Sequence, residues 1–241
     1  MPTADPDAQR RLLDLAEVDR AVAAAQHRRA SLPELAVIAA GAGRIDELNG
    51  RLVLAQTEVG DLDRAARKLD DEIESVRLRA QRDAERLAAG AGGAREQENL
   101  QREIESLARR QSTLEDEALE LMERREGADA AMAAVQGELD VAMAEVEQAV
   151  VRRDDAFADL DDELSRLDAQ RAELVAQTPQ DLLALYERIR ASGKVAAGRL
   201  NGSQCGACRM MVDNVALAEL RSAAPEAVLR CPECGAILVR S

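Results

Sequence analysis

Apolar side chains recur at three-four spacing along most of this chain, and the breaks in that rhythm mark its elements. Leu15, Val18, Val22 and Ala25 carry the first run. It opens at Asp5-Pro6, an N-cap residue followed by proline at the first helical position, and predicts a helix over 5–30. Ser31-Leu32-Pro33-Glu34 reads as a capping box, so a second helix is expected to start at once and run over 32–88. From Ile38 to Leu87, thirteen of fifteen seam positions are apolar or Ala, with Gly41 and Asp83 the exceptions. Such regularity predicts a coiled-coil seam rather than an ordinary amphipathic helix. The glycine-rich AAGAGGA then stops the pattern, with a turn near 89–93. The rhythm resumes at Leu100 and holds to Leu174. Seventeen of its 22 seam positions are apolar, Gln111, Arg125, Arg153, Glu163 and Gln170 being the others. This predicts a third helix over 94–177.

The lengths decide the topology. The third helix is close to the sum of the first two, so one long helix can pack antiparallel against two shorter ones laid end to end, an arm of roughly 80 Å for the outer stretch. Thr178-Pro179 restarts a short helix, DLLALYERIR, in which Tyr186 reads as a hydrophobic anchor. Beyond Val195 the text turns glycine-rich and strand-like. The expected fold is mainly α: a long antiparallel coiled-coil hairpin over 1–178, then a small C-terminal domain over 179–241 built of the short helix and a β ribbon. The tail is expected to share few contacts with the hairpin.

Composition sharpens this. The 241 residues include no Trp, one Tyr and one Phe, and 32% are charged. That mix suits long helices and supplies little for a large globular core. The formal net charge is −14. From Gly198 onward five Arg face four acids, leaving 27 of the 32 basic and 42 of the 46 acidic side chains elsewhere, a balance of −15. The long part should repel nucleic acid, so any polyanion contact is expected at the tail. The N-terminus lacks an apolar signal core and the longest uncharged runs are far short of a membrane span, so a cytoplasmic chain without membrane contact is expected.

The chain's four cysteines fall between Cys205 and Cys234, as Cys-x2-Cys, 22 residues, Cys-x2-Cys. Cys205, Cys208, Cys231 and Cys234 at that spacing suit one tetrahedral structural Zn2+ per chain. A redox dithiol would want a βαβ context, which is lacking. A rubredoxin-like iron site shares the CPxCG turn, but the tail has no aromatic residue to enclose iron. Disulfides do not suit a cytoplasmic chain. Four protein ligands leave no open position, so the metal is structural, and a tail of some 45 residues needs it to fold.

LLDLAEVDRAV, RRASLPEL, AREQENLQREIESL, DLLALYERIR, CGACRM and RCPECGAIL together resemble the bacterial C4-type zinc-ribbon family with a long coiled-coil hairpin. The resemblance spans nearly the whole chain and implies the same four cysteines as zinc ligands. Its members' links to RNA or DNA, to sigma factors and to secretion or flagellar systems imply a non-enzymatic adaptor that contacts nucleic acid or the transcription and regulatory machinery.

The residues support that class. Arg199, Arg209, Arg221, Arg230 and Arg240 are candidate phosphate contacts, because guanidinium groups bind phosphate in a planar, bidentate way. Against this, the tail offers no ring to stack on a base. Two alternatives are a protein–protein scaffold of coiled coil with a purely structural zinc head, and a factor that enters the RNA polymerase secondary channel. The glycine turn carries no acids, which weighs against the last. One histidine, no phosphate-binding loop and no nucleophile–base set point away from an enzyme and a small-molecule substrate.

Overall fold

The computed structural model describes residues 3–90 and 92–240; Met1, Pro2, Ala91 and Ser241, which fall within the expected domains and turn, lie outside them. The first helix, α1, spans Pro6–Ala30. The Asp5 carboxylate accepts from the backbone N–H of Asp7 at 2.8 Å and of Ala8 at 3.4 Å, and Pro6, which has no N–H, sits where none is needed. The helix ends at Ser31. Its backbone N–H and its hydroxyl both donate back to the His27 carbonyl, at 3.0 and 2.7 Å. Ser31 was expected to cap the helix that follows. It closes the one before instead, because the last carbonyls of α1 lack partners and the nearby proline offers no donor.

Helix α2 spans Pro33–Ala88 and α3 spans Ala94–Ala176. Among the described residues no helix is long and apolar enough to cross a membrane. The chain forms two compact units, and α3 contributes to both. In the unit Ala36–Val150, α2 and α3 run antiparallel as a long hairpin. Leu48, Val135, Leu139 and Ala142 form its buried cluster, with Ile45 and Leu52 against them. Gly41 interrupts the apolar seam for a steric reason: a β-carbon there would run into the Val146 side chain. Arg125, another exception in the seam, pairs across to Asp63 at 2.5 Å. Arg51–Glu138 and Arg79–Glu103 bridge the helices at 2.9 and 2.7 Å. These exposed pairs set register more than stability. In the glycine turn Gly90 and Gly92 take φ values of 65° and 86°, open without strain only to glycine.

The other unit joins Met1–Leu35 to Val151–Ser241. Here α4, Gln180–Arg190, leads into a ribbon of β1 (Ala197–Asn201), β2 (Gln204–Cys205), α5 (Asn214–Ser222), β3 (Leu229–Arg230) and β4 (Ile237–Val239). The strand order is β2-β1-β4-β3, with β1 and β4 parallel and the other pairs antiparallel. One core fuses this ribbon to the helices. Ala8, Leu12, Leu15 and Ala16 of α1 meet Leu182, Tyr186 and Ile189 of α4 and Ala196, Ala197, Val228 and Ile237 of the ribbon. The expectation of few contacts between tail and hairpin is therefore corrected. The apolar side of α1 is shared, because the ribbon alone cannot bury the outer face of β1 and β4. The chain start adds a second tie: Ala4 N–H donates to the Glu226 carbonyl at 2.8 Å, and the buried Gln9 amide donates to the carbonyls of Ala4 and Pro225 at 2.9 and 3.2 Å.

Tyr186 is buried, and its hydroxyl donates to Asp19 at 2.7 Å. Asp19 also accepts from Arg171 at 2.7 Å and pairs with Arg190 at 3.1 Å, while Glu187 pairs with Arg171. This network locks α1, α3 and α4 together.

Candidate metal centre

Two tight turns carry the cysteines, and their backbones match step for step. In Cys205–Arg209 the Arg209 N–H donates to the Cys205 carbonyl at 2.8 Å, and Cys205 N–H donates to the Met210 carbonyl at 3.0 Å. In Cys231–Gly235 the Gly235 N–H donates to the Cys231 carbonyl at 2.9 Å, and Cys231 N–H donates to the Ala236 carbonyl at 2.8 Å. Each knuckle thus directs two thiols inward and needs a left-handed residue just after its second cysteine. Gly235 supplies one with φ 78°; Arg209 supplies the other with φ 63°. Close packing fixes the first knuckle against β1. A β-carbon on Gly206 would lie 2.7 Å from the Arg199 carbonyl oxygen, and one on Gly198 2.5 Å from the Ala207 nitrogen.

The four Sγ atoms lie within 4.8 Å of one another. Cys205 to Cys234 and Cys208 to Cys231 each measure 4.0 Å. A tetrahedron of thiolates at zinc–sulfur bond length needs about 3.8 Å between sulfurs, so the set fits zinc with a slight contraction. Cys205 and Cys231 are buried, and Cys208 and Cys234 half-buried. Burial pushes the Cys205 thiol up and the Cys234 thiol up to about 12, whereas the Met210 backbone N–H draws Cys208 down. Such a cage has little reason to hold several thiolates without a cation inside it. Bound there, zinc would supply the charge that keeps all four ionised and would clamp the two knuckles together.

The second core of the ribbon backs the cage. Leu200, Val212, Leu217, Leu220, Leu229 and Leu238 pack with Cys205 and Cys231. Helix α5 provides two of these and was absent from the strand-like sequence reading. The clue lay in Asp213 ahead of NVALAEL: its carboxylate accepts from the N–H groups of Val215 and Ala216 at 2.9 and 3.0 Å. The steric roles of Gly198 and Gly206 were likewise missed.

The five candidate arginines divide. Arg240 is half-buried and donates to the carbonyls of Leu220, Ala223 and Ala224 at 3.3, 2.6 and 2.5 Å, closing the end of α5. Arg221 donates to the Gly202 carbonyl at 3.3 Å and Arg230 to the Gly235 carbonyl at 3.0 Å. Arg199 and Arg209 are exposed and flank the first knuckle, one through Gly206 and the other through Cys205.

Comparison with known proteins places these features in context. A model described as the CT398-like coiled coil hairpin domain matches residues 15–194, and one for a C4-type zinc ribbon domain matches residues 204–238. An uncharacterized protein of Mycobacterium tuberculosis, Rv2229c, is 39% identical over 246 residues, covering 96% of this chain and 95% of that protein. A solved structure from Mycobacterium smegmatis is 39% identical, with a TM-score of 0.87 over 99% of this chain and 100% of the other. CT398 from Chlamydia trachomatis, at 15% identity and a TM-score of 0.55 over 98% of this chain and 95% of the other, shares the fold alone. The ribbon match and the clustered thiols together give the chain one structural zinc.

Proposed function

The chain belongs to the CT398-like coiled-coil hairpin family, and from that premise we propose that it is a non-enzymatic adaptor. Cys205, Cys208, Cys231 and Cys234 would bind the zinc as a closed, structural clamp. The ribbon so held would engage another macromolecule, in the setting of transcription or its regulation. One observation carries this reading: the ribbon is seated on α1 and α4 through a shared core, a rigid mount for a recognition surface. A metal with four protein ligands is a fastener and leaves no position for a substrate.

Of the two partner classes, protein is favoured over nucleic acid. Arg221, Arg230 and Arg240 donate to backbone carbonyls, which leaves fewer of their N–H groups for a phosphate. Zinc with four thiolates adds local negative charge of about −2. Met210, Met211 and Val215 are 57%, 64% and 71% exposed, an apolar offering that suits protein. The test is a pull-down from cell lysate with zinc-loaded full-length protein, with and without nuclease, beside elemental analysis. Specific protein partners retained after nuclease support the reading. Capture lost with nuclease, together with retardation of DNA or RNA at low salt, would replace it with the nucleic-acid reading. No specific capture under either condition would sink both.

A further inference from the structure

We propose that the rim of the first knuckle is the contact surface of the ribbon, and that it takes an acidic protein segment bearing aliphatic side chains. This rests on the adaptor reading and adds the place and the chemistry of the partner. Three large apolar side chains of the ribbon, Met210, Met211 and Val215, stand more than half exposed within one short stretch, RMMVDNV. The stretch is not loose. Val212 is buried as its anchor, the Met211 backbone bridges to Gln204 of β2, and Val212 N–H donates to the Ser203 carbonyl at 2.8 Å. Backbone fixed at this level does not hold three apolar side chains in water by laxity.

Charge identifies the occupant. Among the described residues no hydrogen bond or ion pair engages the guanidinium group of Arg199 or Arg209, although the Gln204 amide donates to the Arg209 backbone carbonyl at 2.8 Å. The other three ribbon arginines are tied to carbonyls through their guanidinium groups. Both free guanidinium groups flank this same knuckle. Arg209 further occupies a left-handed position that the second knuckle gives to glycine, so a charged side chain is kept where the backbone does not favour one. The nearest acid of the stretch, Asp213, is already committed to capping α5. Two free cations bordering a methionine pair suit carboxylates interleaved with aliphatic side chains, since unbranched thioethers repack around varied apolar shapes. The ribbon beyond Val195 has no aromatic residue on which a nucleotide base could stack.

Methyl-labelled methionine makes the test direct. The chain has six methionines, and Met122, Met132 and Met143 of the hairpin serve as internal controls. Zinc-loaded full-length protein is titrated with a short synthetic peptide alternating Glu and Leu, with its Lys–Leu counterpart, and with an unstructured RNA oligomer. The expected result is that the Glu–Leu peptide alone shifts the Met210 and Met211 methyl signals. Arg199→Glu with Arg209→Glu should weaken its binding by about tenfold or more, with zinc content unchanged. Arg199→Gln with Arg209→Gln, and separately Met210→Ser with Met211→Ser, should weaken it too, and serve if charge reversal disturbs folding. Failure of the Glu–Leu peptide to move these methyls, equal response to the Lys–Leu peptide, or a response to RNA in its place overturns the proposal. So does nuclease-resistant capture that survives all of these substitutions, an outcome that leaves the adaptor reading standing. If the parent captures nothing, the adaptor reading falls and this proposal with it.

Discussion

Arg209 holds a left-handed backbone, φ 63°, at the position where the second knuckle has Gly235. The cysteines declare themselves by spacing, because a tetrahedral metal demands two close pairs. The left-handed backbone of Arg209 does not, since its neighbours in the text give no turn signal. Only laying CGACR beside CPECG would align it with Gly235. Gly198 was illegible for a different reason: the need for a bare α-carbon arises when β1 is brought against the first knuckle, a contact made far from either segment's own sequence. The strain at Arg209 leads to a prediction. Arg209→Gly should relieve roughly 1 kcal/mol of backbone energy, partly offset by the greater freedom of glycine in the unfolded chain. The rate of zinc transfer to a chelator should therefore stay level or fall. Arg209→Val, β-branched at a positive φ, should raise that rate and cost about 1–2 kcal/mol. Faster zinc loss from the glycine variant would show that the arginine side chain itself supports the knuckle.

At the scale of elements, the glycine turn and the Asp5-Pro6 start stood out because each has a local stereochemical cause. Helix α5 did not, since its apolar residues face a metal-backed core and look irregular beside the coiled-coil rhythm. The joint of α1, α3 and α4 was half legible: Tyr186 read as an anchor, but nothing in the text linked it to Asp19. Removing that hydrogen bond by Tyr186→Phe should cost about 1.5–3 kcal/mol, as for other bonds to a charged acceptor. Arg171→Ala should cost at least as much, because Asp19 would keep its burial with one counter-charge fewer. The joint also fixes a pH response. Burial first, and then the bond to Asp19, raise the Tyr186 phenol above its ordinary value of 10.0 in the folded chain. Its contribution is full below about pH 10 and declines above it, as the unfolded chain ionises its tyrosine and the folded chain does not. Denaturant midpoints measured upward from pH 9 should fall more steeply for the parent than for Tyr186→Phe, once other groups common to both cancel. Parallel curves would mean the phenol is not held as described. With one Tyr and no Trp in the chain, tyrosine emission follows this joint.

For the whole molecule, the shared core changes what metal loss should do. A tail hung on the hairpin by a linker would unfold by itself when the clamp opens. Here Ala196, Ala197, Val228 and Ile237 complete the burial of Leu12 and Leu15, so opening the ribbon strips the apolar face of α1 as well. Each large side chain returned to water loses about 1.5–3 kcal/mol of burial, enough over several residues to release a 25-residue helix from its seat. The unit Ala36–Val150 has its own cluster around Leu48 and Leu139 and should not respond. Cys231→Ser, or chelation of the parent, should therefore abolish amide protection over the ribbon and lower it markedly over α1 and α4. Protection over α2 near Leu48 and α3 near Leu139 should be unchanged. Hydrogen exchange read by mass spectrometry, peptide by peptide, separates the cases. If α1 keeps its protection while the ribbon loses all of its own, the core between them contributes little, and the zinc clamp stabilises the ribbon alone. If α1 and the ribbon open together, the metal governs the mount as well as the head it carries, and a partner that binds the ribbon will be felt along α1.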